Sequence, residues 1–140
     1  MQCSPVNTTS PVRPARNYVL SPIWRDAVKK SFAHKPVQVL RLVLKRKPFD
    51  VMRSGEKTEE FRDNTAYWRS RLLDESTGRW RRFDYVEFYL GYHPTRAKFR
   101  ARFMGITLIS TVDRKYSNGL HVDYPFKRRR YIQIQLGEVL

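Results

Sequence analysis

The chain has 140 residues, 41% hydrophobic and 14% aromatic, with a formal net charge of +15. Such a length and apolar content support one domain with a real core plus a tail, and exclude a disordered chain. The lone cysteine, Cys3, excludes an intrachain disulfide framework or a cysteine zinc site and fits a cytoplasmic or other reducing compartment; no apolar run reaches the roughly 18 residues of a bilayer span.

Residues 1–20 read as an extended basic arm, with Arg13 and Arg16 and no acid. Its composition is also that of an organellar presequence, although Pro5, Pro11 and Pro14 oppose an amphipathic helix. Ser21-Pro22 then supplies an N-cap and a first-position proline, opening an amphipathic helix within 21–36 that runs to about His34. Ile23, Trp24, Ala27, Val28 and Phe32 form its apolar stripe, with Arg25, Lys29 and Lys30 away from it. The helix either packs on the domain or turns a basic face to a partner.

The domain itself is placed at 37–140. Val37 to Leu44 is a β-rich apolar run, followed by the basic break Lys45-Arg46-Lys47-Pro48. Phe49 to Ser54 forms a short helix, with Pro48 at its first position and Gly55 as its stop. Lys57 to Arg62 is the second strand, and its alternation puts Glu60 and Arg62 on one face with Glu59 and Phe61 on the other. A polar connection from Asp63 to Arg82 follows, with a helical turn around Ala66–Leu73 and a turn at Asp74–Gly78. Tyr85 to Leu90 alternates cleanly, Val86, Phe88 and Leu90 against Tyr85, Glu87 and Tyr89.

In the next strand, Arg96 to Met104, the cations Arg96, Lys98, Arg100 and Arg102 alternate with Ala97, Phe99, Ala101 and Phe103. One strand face then presents cations about 7 Å apart, a spacing suited to phosphates of an extended nucleic acid. Gly105 to Thr111 is a further strand and Tyr116–Gly119 a turn. Lys127-Arg128-Arg129-Arg130 leads into the final strand, Tyr131–Leu136. The fold class that follows is α+β, a small mixed β-barrel of five or six strands with two or three short helices.

The order strand, helix, glycine, charged strand carries Gly55-x-Lys57-x-x-Glu60-x-Arg62. Together with Tyr67–Leu72, Tyr85–Tyr92 and Ile132–Glu138, it resembles the ASCH family of PUA-like domains, in particular its phage and bacterial members. The resemblance covers about residues 38–140. It implies a PUA-like barrel, and a nucleotide cleft at Lys57, Thr58, Glu60 and Arg62. Some relatives are amidohydrolases acting on N4-acetylcytidine with a lysine, a threonine and a distant glutamate; a ribonuclease role is also known in the family. Lys57 matches that lysine, but Glu60 stands at the threonine position. Residues 112–130 hold no glutamate, only Asp113 and Asp123. If the protein were an enzyme, Lys57 and Glu60 would be the catalytic candidates.

Charge is distributed unevenly. Residues 1–47 sum to +9, residues 48–95 to −1 and residues 96–140 to +7. A polyanionic partner accounts for that load better than a small neutral substrate does. His34, His93 and His121 show no metal-ligand spacing, and there is no glycine-rich phosphate loop or serine elbow. No metal or cofactor is expected.

The sequence therefore points to a non-catalytic RNA-binding module within a ribonucleoprotein, contacting RNA and possible protein subunits but no membrane. The phosphate contacts would be Arg96, Lys98, Arg100, Arg102, Lys45, Arg46, Lys47, Arg79, Arg81, Arg82, Lys127, Arg128, Arg129 and Arg130. Trp80, Tyr89 and Tyr92 are the stacking candidates, while Trp68 reads as core. The alternatives are a small amidohydrolase on a modified nucleoside and a structural subunit of an RNA-containing particle. Lys57, Glu60 and Arg62 could equally be a salt-bridge cluster that closes the barrel mouth.

Overall fold

A computed structural model describes residues 35–140, of which Val37–Leu140 form one compact unit. The basic arm over 1–20 and the amphipathic helix opening at Ser21 lie outside the described residues. In chain order the unit contains β1 (Val39–Leu44), α1 (Arg46–Arg53), β2 (Glu59–Asp63) and α2 (Ala66–Leu72). There follow β3 (Leu73–Asp74), β4 (Arg79–Trp80), β5 (Tyr85–Leu90), β6 (Lys98–Ile109), β7 (Val112–Lys115), β8 (His121–Tyr124) and β9 (Tyr131–Val139).

The architecture is α+β. Five strands, in the order β1-β5-β6-β9-β2, form one sheet curled into a half-barrel, so β1 and β2 remain its edges. Two small two-stranded sheets, β3-β4 and β7-β8, accompany it. β1 runs parallel to β5, and the other pairs are antiparallel. No helix among the described residues is long and apolar enough to cross a membrane.

Alternation builds the core. Leu40, Leu42 and Leu44 of β1, Val86 and Phe88 of β5, Phe99 and Ala101 of β6, and Ile132, Ile134 and Leu136 of β9 are buried together. Helix α1 adds Phe49 and Met52, with the Phe49 ring edge-on to Phe99 at 5.0 Å. The opposite face of β1, β5 and β6 carries Arg41, Tyr85, Glu87, Tyr89, Lys98, Arg100 and Arg102. Around β9 both faces are covered: Phe61, Val112 and Val122 form a second buried cluster, and Tyr131 and Gln133 are buried as well.

Several boundaries differ from the sequence reading. Helix α1 begins at Arg46 rather than Phe49, so Pro48 sits within its first turn, where a missing N–H costs nothing. Gly55, at φ 88°, ends it as expected. The strands expected at 96–104 and 105–111 are one bent strand, β6, with register shifts on either side of Phe103. Gly105 at φ 139° permits that bend, because residues with a Cβ avoid this conformation. The hairpin β7–β8 flanks the turn read at Tyr116–Gly119, and β9 extends to Val139.

Candidate nucleotide cleft and cationic sheet face

The charged strand β2 is positioned by its pairing to β9. Glu60 lies opposite Ile134 and Arg62 opposite Ile132, so they share one face, as the alternation predicted, and that face is the core side of the sheet. Lys57, in the extended residues before β2, is 2% exposed and Glu60 6%. Lys57 Nζ donates to the Glu59 carbonyl and to Glu60 Oε1 at 3.1 Å. Arg62 pairs with Glu60 Oε2 at 2.9 Å and donates to the Phe61 carbonyl at 2.8 Å. The Phe61 N–H completes the set, donating to Glu60 Oε1 at 3.0 Å.

Burial pushes the Glu60 carboxyl up, but Lys57, Arg62 and the Phe61 N–H outweigh it and hold its pKa below the usual carboxylate value. The carboxylate is thus ionised and fully engaged. Thr58 is exposed, and its carbonyl accepts from the Leu136 N–H at 2.9 Å. Arg62, the half-buried member of the four, borders open space.

That space is a pocket of about 580 Å³ lined by Phe61, Arg62, Asp63, Thr65, Trp68, Tyr124, Pro125, Lys127 and Tyr131. Thr65 caps α2 by accepting from the Trp68 N–H, which fixes the indole at the wall. The Arg62 guanidinium lies over the Trp68 ring at 5.1 Å, and Tyr124 packs on Tyr131 at 5.1 Å. Lys127 pairs with Asp63 at 3.1 Å and sits over Tyr131. Burial raises the Tyr124 phenol, reinforced by Glu60, so the ring is neutral at ordinary pH.

The second region is the outer face of β1, β5 and β6. Lys98, Arg100 and Arg102 point outward and are exposed, while Arg96 precedes the strand and is half-buried, its guanidinium over Tyr89 at 4.2 Å. The row is not uniformly cationic. Arg100 pairs with Glu87 at 3.0 Å and Arg102 with Glu138 at 3.6 Å. The face also holds Arg41, a cation absent from the sequence reading, paired with Glu87 at 3.3 Å. Its signal was its place between Leu40 and Leu42 in an alternating strand.

The remaining candidates disperse. Lys45 and Arg46 line a groove of about 540 Å³ with Tyr92, which is 83% exposed, while Lys47 gives its carbonyl to Asn118. Arg79, Arg81 and Arg82 are exposed at the β3–β4 hairpin and the loop after it. Arg128, Arg129 and Arg130 are exposed in the turn before β9, beside pocket-lining Lys127. Among the stacking candidates, Trp80 packs against the core, Tyr89 is covered by Arg96 and donates its hydroxyl to Glu87, and Tyr92 is free in its groove. Trp68, read as core, is half-buried and shared between core and pocket.

The spacing of the histidines hides one cluster. Pairing of β7 with β8 sets Asp113 opposite Asp123, and His121 bonds Asp113 at 2.7 Å, their ligand-type atoms lying within 4.8 Å of one another. All three are exposed.

In comparisons with known proteins, no family model, no curated protein and no solved structure matches this chain.

Proposed function

We propose that this domain is an RNA-binding module of the ASCH and PUA-like type, acting without chemistry of its own within a ribonucleoprotein. The pocket beside Arg62 carries the reading. Its volume of about 580 Å³ is that of a small-ligand site, and it combines aromatic walls with two cations, Arg62 and Lys127. A single unstacked base finds ring faces in Trp68, Tyr124 and Tyr131, and its phosphate finds the cations. The outer sheet face and the net charge of +15 supply the longer-range attraction.

Chemistry at Lys57 is disfavoured by access. A nucleophile or base must come within hydrogen-bond reach of its substrate, and the Lys57 amine is buried and bonded to Glu59 and Glu60. Its place is that of a structural cation.

The test is RNA affinity over a salt series, followed by Trp68→Ala. Wild type binds with a steep salt slope, and Trp68→Ala loses roughly 1–3 kcal/mol of affinity while the slope is kept. Salt-independent or undetectable binding by wild type overturns the reading and leaves the domain a structural subunit. A melting curve of the variant separates lost stacking from lost packing.

A further inference from the structure

Glu87 stands in the middle of the cationic sheet face. The register places it on β5 between Arg41 of β1 and Arg100 of β6, one rung across three strands. It is 4% exposed, covered by cations whose own side chains are 62% (Arg41) and 47% (Arg100) exposed. Both pair with the carboxylate through Nε, Arg41 at 3.3 Å and Arg100 at 3.0 Å. An arginine that spends its Nε edge on an anchor keeps its terminal N–H groups for another acceptor.

Each guanidinium has a second point of attachment. Arg100 lies over the Tyr85 ring at 5.2 Å, and Arg41 interacts with the Tyr89 hydroxyl, which also donates to Glu87. Two planar forks are therefore held in orientation with their outer edges in solvent. Along β6 the anchoring is looser: Arg102 also pairs through Nε, but at 3.6 Å to a Glu138 that is itself 69% exposed, Lys98 is exposed, and Arg96 is folded over Tyr89.

We infer that Glu87 is a positioning residue that presents Arg41 and Arg100 as twin phosphate donors, so that the ribose-phosphate chain crosses the sheet along the β1–β5–β6 rung rather than following β6. This rests on the RNA-binding reading above. Strand neighbours are about 4.8 Å apart, so the two arginine backbones stand roughly 10 Å apart. Both side chains lean inward to the shared carboxylate, bringing their guanidiniums closer to the separation of successive phosphates in an extended strand. A fixed fork loses less freedom on binding than a free surface lysine does.

The decisive variant is Glu87→Gln, because charge alone and positioning predict opposite signs. Removing an acid from a cationic face strengthens attraction for RNA if Glu87 acts only through its charge. Positioning predicts weaker binding, roughly threefold to tenfold, from the loss of charge-assisted anchoring. Anisotropy of a labelled oligouridylate across a salt series measures it, with thermal melting in parallel. Equal or tighter binding by a folded Glu87→Gln variant overturns the inference while leaving the RNA reading intact. Absent salt-dependent binding by wild type removes both. Where Glu87→Gln fails to fold, the double variant Arg41→Lys, Arg100→Lys decides. It keeps the charge and the salt slope but loses the fork, so weaker binding supports the inference and unchanged binding overturns it.

Discussion

Two carboxylates in this domain are each held by two cations, and they differ in what those cations have left to offer. Glu60 is gripped by Lys57 and Arg62, whose side chains are 1% and 18% exposed. Glu87 is gripped by Arg41 and Arg100, which are about half in solvent. The first cluster spends its charges mostly inward, on two backbone carbonyls, an amide N–H and one another, with Arg62 alone of its members bordering the pocket. The second spends one edge of each guanidinium inward and presents the other. The same ion chemistry thus ties down a sheet edge in one place and leaves a row of cation edges in solvent in another, and exposure of the cations decides which.

The contrast can be broken most forcefully at Lys57. Lys57→Met leaves Glu60 buried with half its cationic support, and removing one partner of a buried pair costs about 3–5 kcal/mol. Urea denaturation measures this directly, and a loss below about 1 kcal/mol would place the cluster in the surface class. Adding Glu60→Leu to Lys57→Met should restore part of the stability, since the carboxylate then no longer needs a partner.

Acid titration sharpens the same comparison. The folded pKa of Glu60 lies below its ordinary 4.5, so the unfolded chain takes up the proton first as the pH falls. The contribution of Glu60 is complete above about pH 4.5 and is lost as the pH falls through the lower folded value. Glu87 shifts in the same direction, chiefly through the Tyr89 hydroxyl. Stability followed from pH 6 to pH 2 should show the Glu60→Gln variant with a flatter acid limb than wild type. Raising the salt should shrink the part of the limb that depends on Glu87, whose cations are wet, and spare the part that depends on Glu60.

What could be read from residue order alone divides along the same lines. β5 was legible to the residue, because Tyr85–Leu90 alternates without interruption. So were the Gly55 stop and the shared face of Glu60 and Arg62, which depend on spacing within one element. The pocket was not legible. Its walls come from 61–68 and 124–131, brought together by β2–β9 pairing, the Lys127–Asp63 ion pair and the packing of Phe61 on Tyr124. Nor could the neutralising partners of Arg100 and Arg102 be foreseen, since cross-strand register brings Glu87 and Glu138 to them. A row of cations reads as free charge until its neighbours on other strands are known. The bend at Gly105, which fuses two expected strands into β6, likewise answers to the partner strand.

The smallest effect tests the other half of the comparison. Arg41→Ala with Arg100→Ala should leave the urea midpoint close to that of wild type, because half-exposed ion pairs trade protein contacts for water at little net cost. Both cations nonetheless shelter a carboxylate only 4% exposed. On truncation water reaches Glu87 from the open face, so the uncovered charge is solvated rather than stranded. Glu60 has no such recourse, since the core side of β2 and β9 surrounds it. A double alanine variant whose urea midpoint falls far below that of wild type would mean that Glu87 stays dry without its arginines. The outer rung would then be a second structural cluster, and the phosphate path across the sheet would lose its anchors' claim to be available.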